Sequence, residues 1–251
     1  MGKIIAIANQ KGGVTKTTST YNISAGLALR GKKVLMVDLD PQASLSLSAG
    51  YNPLDFETSI VQVFEDSNKI ADAIYDTDIE GLSILPSHPL LASTELSLIN
   101  ARSRERKLEK ALKLVEPLFD YIILDCPPQL SLITINALTA ARYIIVPCGT
   151  SQLDYYALTQ LFDTLSGVKE DLNSEIESLG ILASLFDARA TEDKKTLEAM
   201  KVEYEVLGVL KRATAAKKVS TGLPVVVTRP RSEVSTEYMN VVDRIIGKVG
   251  V

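Results

Sequence analysis

The 251-residue chain has no tryptophan, one histidine and two cysteines. Cys126 and Cys148, with one His between the whole set, support neither a disulfide framework nor a zinc cluster, and they fit a reducing compartment. Long apolar runs are missing too: none approaches the ~18 residues of a membrane span. The opening "MGKIIAIANQ" is a poor secretory leader, because its short apolar stretch leads straight into a loop. No Pro/Gly/Ser-rich linker, internal repeat or low-complexity tract divides the chain, so one domain over residues 1–251 is expected, with no separate N-terminal DNA-binding domain.

Net charge is small, −4 at neutral pH, which excludes a chain that is basic throughout. The distribution is uneven. Residues 211–231 hold six basic side chains and no acid, leaving 21 basic against 31 acidic residues elsewhere. Lys211, Arg212, Lys217 and Lys218 form the densest part of that stretch, and charge alone admits either a phosphate-binding surface or a solvated helix face.

What the chain does have is alternation. Apolar, β-branched runs such as "IIAIAN" (4–9), "KVLMVDLD" (33–40), "LSILP" (82–86), "YIILDCPP", "YIIVPC" and "LGILASLF" are separated by helical patterns. One such pattern spans 17–30 and is stopped by Gly31; another, rich in charge pairs, is "SRERKLEKALKLVEPL". Near-continuous apolar strands suit a parallel sheet covered on both faces, so the fold class predicted is α/β, a doubly wound, mostly parallel sheet flanked by helices. Ligands of such sheets bind beyond the carboxyl ends of strands. Asn9–Gln10, Asp38–Asp40, Asp125–Pro128 and Cys148–Thr150 all fall at such ends.

The first of these ends opens into "KGGVTKTT", Lys11–Thr18. A strand, a Gly-Gly turn and a Lys-Thr-Thr helix start form the setting for a phosphate cradle, in which loop N–H groups and the helix N-terminus face an anion. Gly12 and Gly13 allow close backbone approach, Lys16 would reach the β- and γ-phosphates, and Thr17 would offer its hydroxyl to Mg²⁺. Asp125 ends a buried strand, where a carboxylate can hold Mg²⁺ through water. Asp38 and Asp40, two apart, would share a side if the extended geometry continues past the strand. A solvated turn carboxylate before Pro41 is the alternative for either.

This loop resembles the deviant Walker A motif, K-G-G-x-x-K-[ST], of the ParA/MinD family of P-loop ATPases, and the chain is most similar to the short, Soj-like ParA proteins. "VDLDPQAS" (37–44) resembles the family's switch I, "YIILDCPPQLSLITINAL" (121–138) its Walker B strand and switch II, and "PSHPLLASTELSL" and "LGILASLFDAR" further ParA-like segments. The resemblance implies ATP and Mg²⁺ as cofactors. It implies an ATP-binding loop of Lys11, Gly12, Gly13, Val14, Thr15, Lys16, Thr17 and Thr18, with Lys11 reaching across a two-fold axis to the partner's nucleotide. Asp40 would orient the attacking water and Asp38 would support the Mg²⁺ shell beside Thr17 and Asp125. The turn around Pro230, or Phe186–Asp187, would lie near the base.

The resemblance further implies slow, partner-stimulated hydrolysis and an ATP-dependent homodimer. Sequence-independent DNA binding would run through Arg189, Lys211, Arg212, Lys217 and Lys218, with a ParB-type centromere-binding partner and a cytoplasmic, nucleoid-associated location. Two departures stand out: Thr15 and Ala43 occupy positions where the family pattern has glycine. Rival readings are a MinD-like membrane ATPase, for which "EYMNVVDRIIGKVGV" has little positive charge, an iron–sulfur reductase bridged by cysteines, and a nucleotide-gated scaffold with weak hydrolysis.

Overall fold

The computed structural model describes residues 2–212 and 222–250. Among them, eight strands form one sheet in the order β3-β4-β2-β5-β1-β6-β7-β8. The strands are β1 (Lys3–Ile7), β2 (Val34–Asp38), β3 (Tyr75–Asp76), β4 (Leu82–Leu85), β5 (Tyr121–Asp125), β6 (Tyr143–Gly149), β7 (Glu177–Phe186) and β8 (Val206–Lys211). All neighbours pair parallel except the two-residue β3, which lies antiparallel on β4. From β1 the chain moves outward to β2 and β4, returns to insert β5 between β2 and β1, then runs the other way through β6 to β8. Loops leaving β1, β2 and β5 therefore surround one crevice at the carboxyl edge of the sheet.

Each central strand is buried on both sides, which explains its unbroken apolar run. In β1, Ile4 and Ala6 face one core, while Ile5 and Ile7 face the other. The first core is closed by α3 (Ile60–Glu65), α4 (Leu91–Leu98), α5 (Lys107–Val115), α6 (Leu132–Ala140) and α7 (Gln152–Asp171). The second is closed by α1 (Lys16–Leu29), α2 (Ser44–Ser48), α9 (Val225–Thr228) and α10 (Glu233–Val249). A further helix, α8 (Thr191–Glu203), leads into β8.

Three features depart from the sequence expectations. The charge-paired pattern at 103–118 is not one helix: 3₁₀ turns at Arg104–Arg106 and Glu116–Leu118 bracket a shorter α5, the second one containing Pro117. Strands β3 and β8 had no clear apolar run, since β3 is two residues long and Gly208 interrupts β8. The third concerns β2, which stops at Asp38, so the extended geometry that would put Asp38 and Asp40 on one side does not continue. Instead Asp38 Oδ1 accepts the Asp40 N–H (3.2 Å) and Asp40 Oδ1 accepts the Gln42 N–H (2.9 Å), a turn built by the carboxylates themselves.

The outer edge of β8 is covered by side chains of α10. Glu237 accepts the Val209 N–H (3.0 Å) and Arg244 donates to the Leu207 carbonyl (2.6 Å). Elsewhere, one residue joins distant parts of the second core: the Gly222 N–H donates to Ser48 O at the end of α2 (3.1 Å), and Gly222 O accepts from the Tyr21 hydroxyl of α1 (2.7 Å).

Candidate nucleotide site

Residues 8–15 link β1 to α1 and form a loop held from β6 and from β7. Asn9, buried, donates from Nδ2 to Pro147 O (2.7 Å) and accepts the Lys11 N–H on Oδ1 (2.9 Å). At the far end Ser184 of β7 donates to Val14 O (3.1 Å). Gly12 and Gly13 are exposed at the tip, Gly13 with φ of 77°. Thr15 is also left-handed, with φ of 70° and ψ of 22°. A β-branched residue there costs on the order of 1–2 kcal/mol. Ala43, in the turn after β2, repeats the situation with φ of 50°. Both places where the family pattern has glycine thus keep the glycine-type backbone without the glycine.

Lys16 begins α1 and is largely buried. Its ammonium donates to Lys11 O (2.9 Å). Burial lowers its pKa, opposed by the nearby charges of Asp125 and Asp40. Thr17 and Thr18 follow in the first turn, half-buried. Asp125, at the end of β5, accepts the Thr20 hydroxyl on Oδ1 (3.0 Å), and the Thr17 side chain stands nearby. Asp125 stands directly across from Asp38, its in-register neighbour on β2. Both carboxyls are sealed from solvent. Asp38 Oδ2 accepts the N–H (2.9 Å) and hydroxyl (2.8 Å) of Ser46 in α2. Burial pushes the Asp38 carboxyl up to about 6. Burial, then the charge of Asp38, push Asp125 up to about 8 despite Thr17, Thr20 and Lys16.

One atom here is left over. Asp125 Oδ2 is buried with no hydrogen-bond partner among the described residues. Leaving such a group unpartnered is costly, and a spare carboxylate oxygen beside Lys16 and Thr20 suits a hard divalent cation held through water. Asp125, with Thr17 beside it, therefore suits Mg²⁺, whereas both oxygens of Asp38 already accept bonds from Asp40 and Ser46, and the loop with Lys16 suits the phosphates of a nucleotide.

Lys11 lies at the open side of the loop. Its ammonium pairs with Asp154 Oδ1 of α7 at 2.5 Å, while 39% of its side chain stays exposed. Asp154 is itself anchored by the capping box of α7, accepting the N–H (3.3 Å) and hydroxyl (2.5 Å) of Ser151. Gly149 makes this possible, since a Cβ there would overlap the Asp154 carboxylate. Burial alone would raise the Asp154 pKa, but Lys11 and Ser151 outweigh it and hold the carboxyl below the ordinary range. Exposed Leu153 and Tyr156 flank Asp154 on the same helix, and Leu130 is exposed in the loop after β5.

The remaining candidates are dispersed. Within 129–136, Thr134 donates to Gln129 O (2.6 Å), whereas Asn136 is locked in the core by Leu108 N and Arg104 O. Pro230 is exposed in the turn between α9 and α10. Arg189 and Arg212 are exposed, and Lys211 pairs with Glu233. Lys217 and Lys218 lie outside the described residues. Sequence reading missed Thr20, Ser46 and Asp154. Thr20 could have been found one helical turn after Lys16; Asp154, far from Lys11 in the chain, gave no signal. The cysteines do not suit a cluster: both are buried, and burial pushes the Cys148 thiol up to about 12 and Cys126 further still.

Comparison with known proteins agrees with this geometry. A family model described as an AAA domain (AAA_31) matches residues 2–178. The sporulation initiation inhibitor protein Soj of Bacillus subtilis is 38% identical over 247 residues, covering 96% of each chain. The chromosome partitioning protein ParA of Myxococcus xanthus is 34% identical, covering 95% of this chain and 86% of that protein. Among solved structures, cobyrinic acid a,c-diamide synthase from Mycobacterium smegmatis, with bound ADP and magnesium, superposes with a TM-score of 0.84 at 34% identity, over 97% of this chain and 93% of that one. The cell division ATPase MinD of Pyrococcus furiosus gives 0.81 at 26% identity over the whole of both chains. A Lys-Gly-Gly loop between β1 and α1, two carboxylates at the ends of β2 and β5, and full-length similarity to Soj and ParA place the chain in the ParA/MinD family of P-loop ATPases.

Proposed function

We propose that this chain, read as one ATPase domain, is a DNA-partitioning ATPase that hydrolyses ATP with Mg²⁺, acts as a nucleotide-bridged homodimer, binds DNA without sequence preference and is stimulated by a ParB-type partner. ADP, an ATP analogue and magnesium in the mycobacterial relative, and Mg-ADP in MinD of Pyrococcus horikoshii, support the cofactors. Partitioning in the Soj and ParA relatives supports the role. A cytoplasmic, nucleoid-associated protein follows from that role.

The observation that carries the dimer is the placement of Lys11. Its ammonium pairs with Asp154 at the start of α7, a helix that also exposes Leu153 and Tyr156 there, whereas Lys16 folds back onto Lys11 O. A second copy covering that face would bury these apolar side chains and receive Lys11 at its phosphates. Bound Mg²⁺ would supply charge neutralisation at the phosphate oxygens. The chain itself holds the phosphates by loop N–H groups and Lys16, and Asp40, with Oδ1 engaged by Gln42, offers Oδ2 to orient a water. Phosphoryl transfer asks little more of a protein than such positioning and charge.

The apolar face of α10, including Tyr238, Val241, Val242 and Ile245, is packed in the second core and is not offered to a lipid surface. The membrane alternative therefore gains nothing from that helix. The test of the dimer is light scattering with ATP and Mg²⁺. Wild type should double its mass, whereas Lys11→Ala should stay monomeric yet still bind nucleotide. Equal dimer populations in the two proteins would refute the bridging role of Lys11.

A further inference from the structure

Thr15 has the φ of a glycine, and its side chain is not idle. Its Oγ1 lies 3.3 Å from Ser19 Oγ, and Ser19 Oγ lies 3.2 Å from the Tyr238 hydroxyl. Ser19 is bound to Thr15 a second time, because its N–H donates to Thr15 O (2.8 Å) in the first helical bond of α1. Ser19 and Tyr238 are both buried, and the Tyr238 ring is wedged in the second core by its neighbours on α10. A row of three hydroxyls thus runs from the phosphate loop to α10, its last step spanning 219 positions of the chain.

A glycine at position 15 would enter the left-handed region without steric cost and leave it as readily. A threonine there needs compensation, and local hydroxyl bonds are the means by which a polar side chain holds a strained backbone. We propose that Thr15 is a positioning residue: its hydroxyl, chained through Ser19 to Tyr238, fixes the loop in the left-handed conformation that presents its N–H groups to the nucleotide. This rests on the nucleotide reading of the loop. The side chain points away from the cradle, toward α10, and acts on the ligand only through the backbone.

Four variants test it: Thr15→Val, which keeps shape and branching but removes the hydroxyl; Thr15→Ser, which keeps the hydroxyl; Tyr238→Phe, which cuts the far end; and Lys16→Ala as the control for the site. The readouts are affinity for a fluorescent ATP analogue, hydrogen exchange of residues 11–19 without nucleotide, and melting temperature. Thr15→Val and Tyr238→Phe should each weaken binding by about fivefold or more and speed exchange in the loop, while Thr15→Ser stays within about twofold of wild type. Melting temperatures should change too little to unfold any variant at the assay temperature. Wild-type affinity in Thr15→Val, or equal weakening in Thr15→Ser, overturns the proposal. If Tyr238→Phe fails to fold, the Val/Ser pair decides. Undiminished binding by Lys16→Ala would instead sink the nucleotide reading; loss in Lys16→Ala with wild-type behaviour in Thr15→Val sinks the hydroxyl tether alone.

Discussion

Asp125 and Asp38 stand side by side on neighbouring strands, both out of reach of solvent, and their mutual repulsion adds to the burial that already disfavours their charge. A folded-state pKa above the unfolded value means that the group contributes most at low pH, with the contribution lost as pH rises through the folded value. Removing the charge should therefore stabilise the metal-free protein. Asp125→Asn is expected to raise the melting temperature by roughly 2–6 °C at neutral pH, the equivalent of one or two kcal/mol in a chain of this size. The gain should vanish near pH 4 and grow toward pH 8, while ATP hydrolysis is lost; thermal scans across that range check it. These two carboxylates were legible from sequence because each ends a buried apolar run, where a charge has no reason to be unless something binds it. Asp154 was not, since an acid at a polar helix start looks like an ordinary cap, and only folding brings it to Lys11.

At the scale of elements, the strands that carry the site were readable because they lie in the middle of the sheet, where both faces are apolar. Strand β8 was not, because an edge strand is half solvated and Gly208 breaks its pattern. That edge also shows how the fold avoids pairing with a second sheet. Glu237 and Arg244 occupy the outward N–H of Val209 and carbonyl of Leu207, the groups on which another strand would grow. Replacing both by Ala is expected to destabilise the protein by about 1–3 kcal/mol and to produce nucleotide-independent self-association, visible by sedimentation. A double variant as monomeric as wild type without nucleotide would show the edge to be guarded by other means.

For the whole molecule, the proposed dimer would bring two copies of the basic stretch onto one assembly, so DNA affinity should depend steeply on both ATP and salt. The basic residues are not equivalent. Lys211 is paired with Glu233, whereas Arg212 is exposed with its backbone fixed on Phe186 O (2.9 Å). Arg212→Ala is expected to reduce the slope of log K against log salt by about 2 for a dimer, and Lys211→Ala by less; binding isotherms at several salt concentrations measure both. After the densest part of the basic stretch comes Gly222, whose backbone N–H and carbonyl are pinned to α2, which follows the Asp38–Asp40 turn, and to α1, which starts at the phosphate loop. A shift of either helix on nucleotide exchange would tug directly on that residue. Gly222 is thereby tied to both helices at once, so a movement of α1 relative to α2 must stretch or break one of its two bonds.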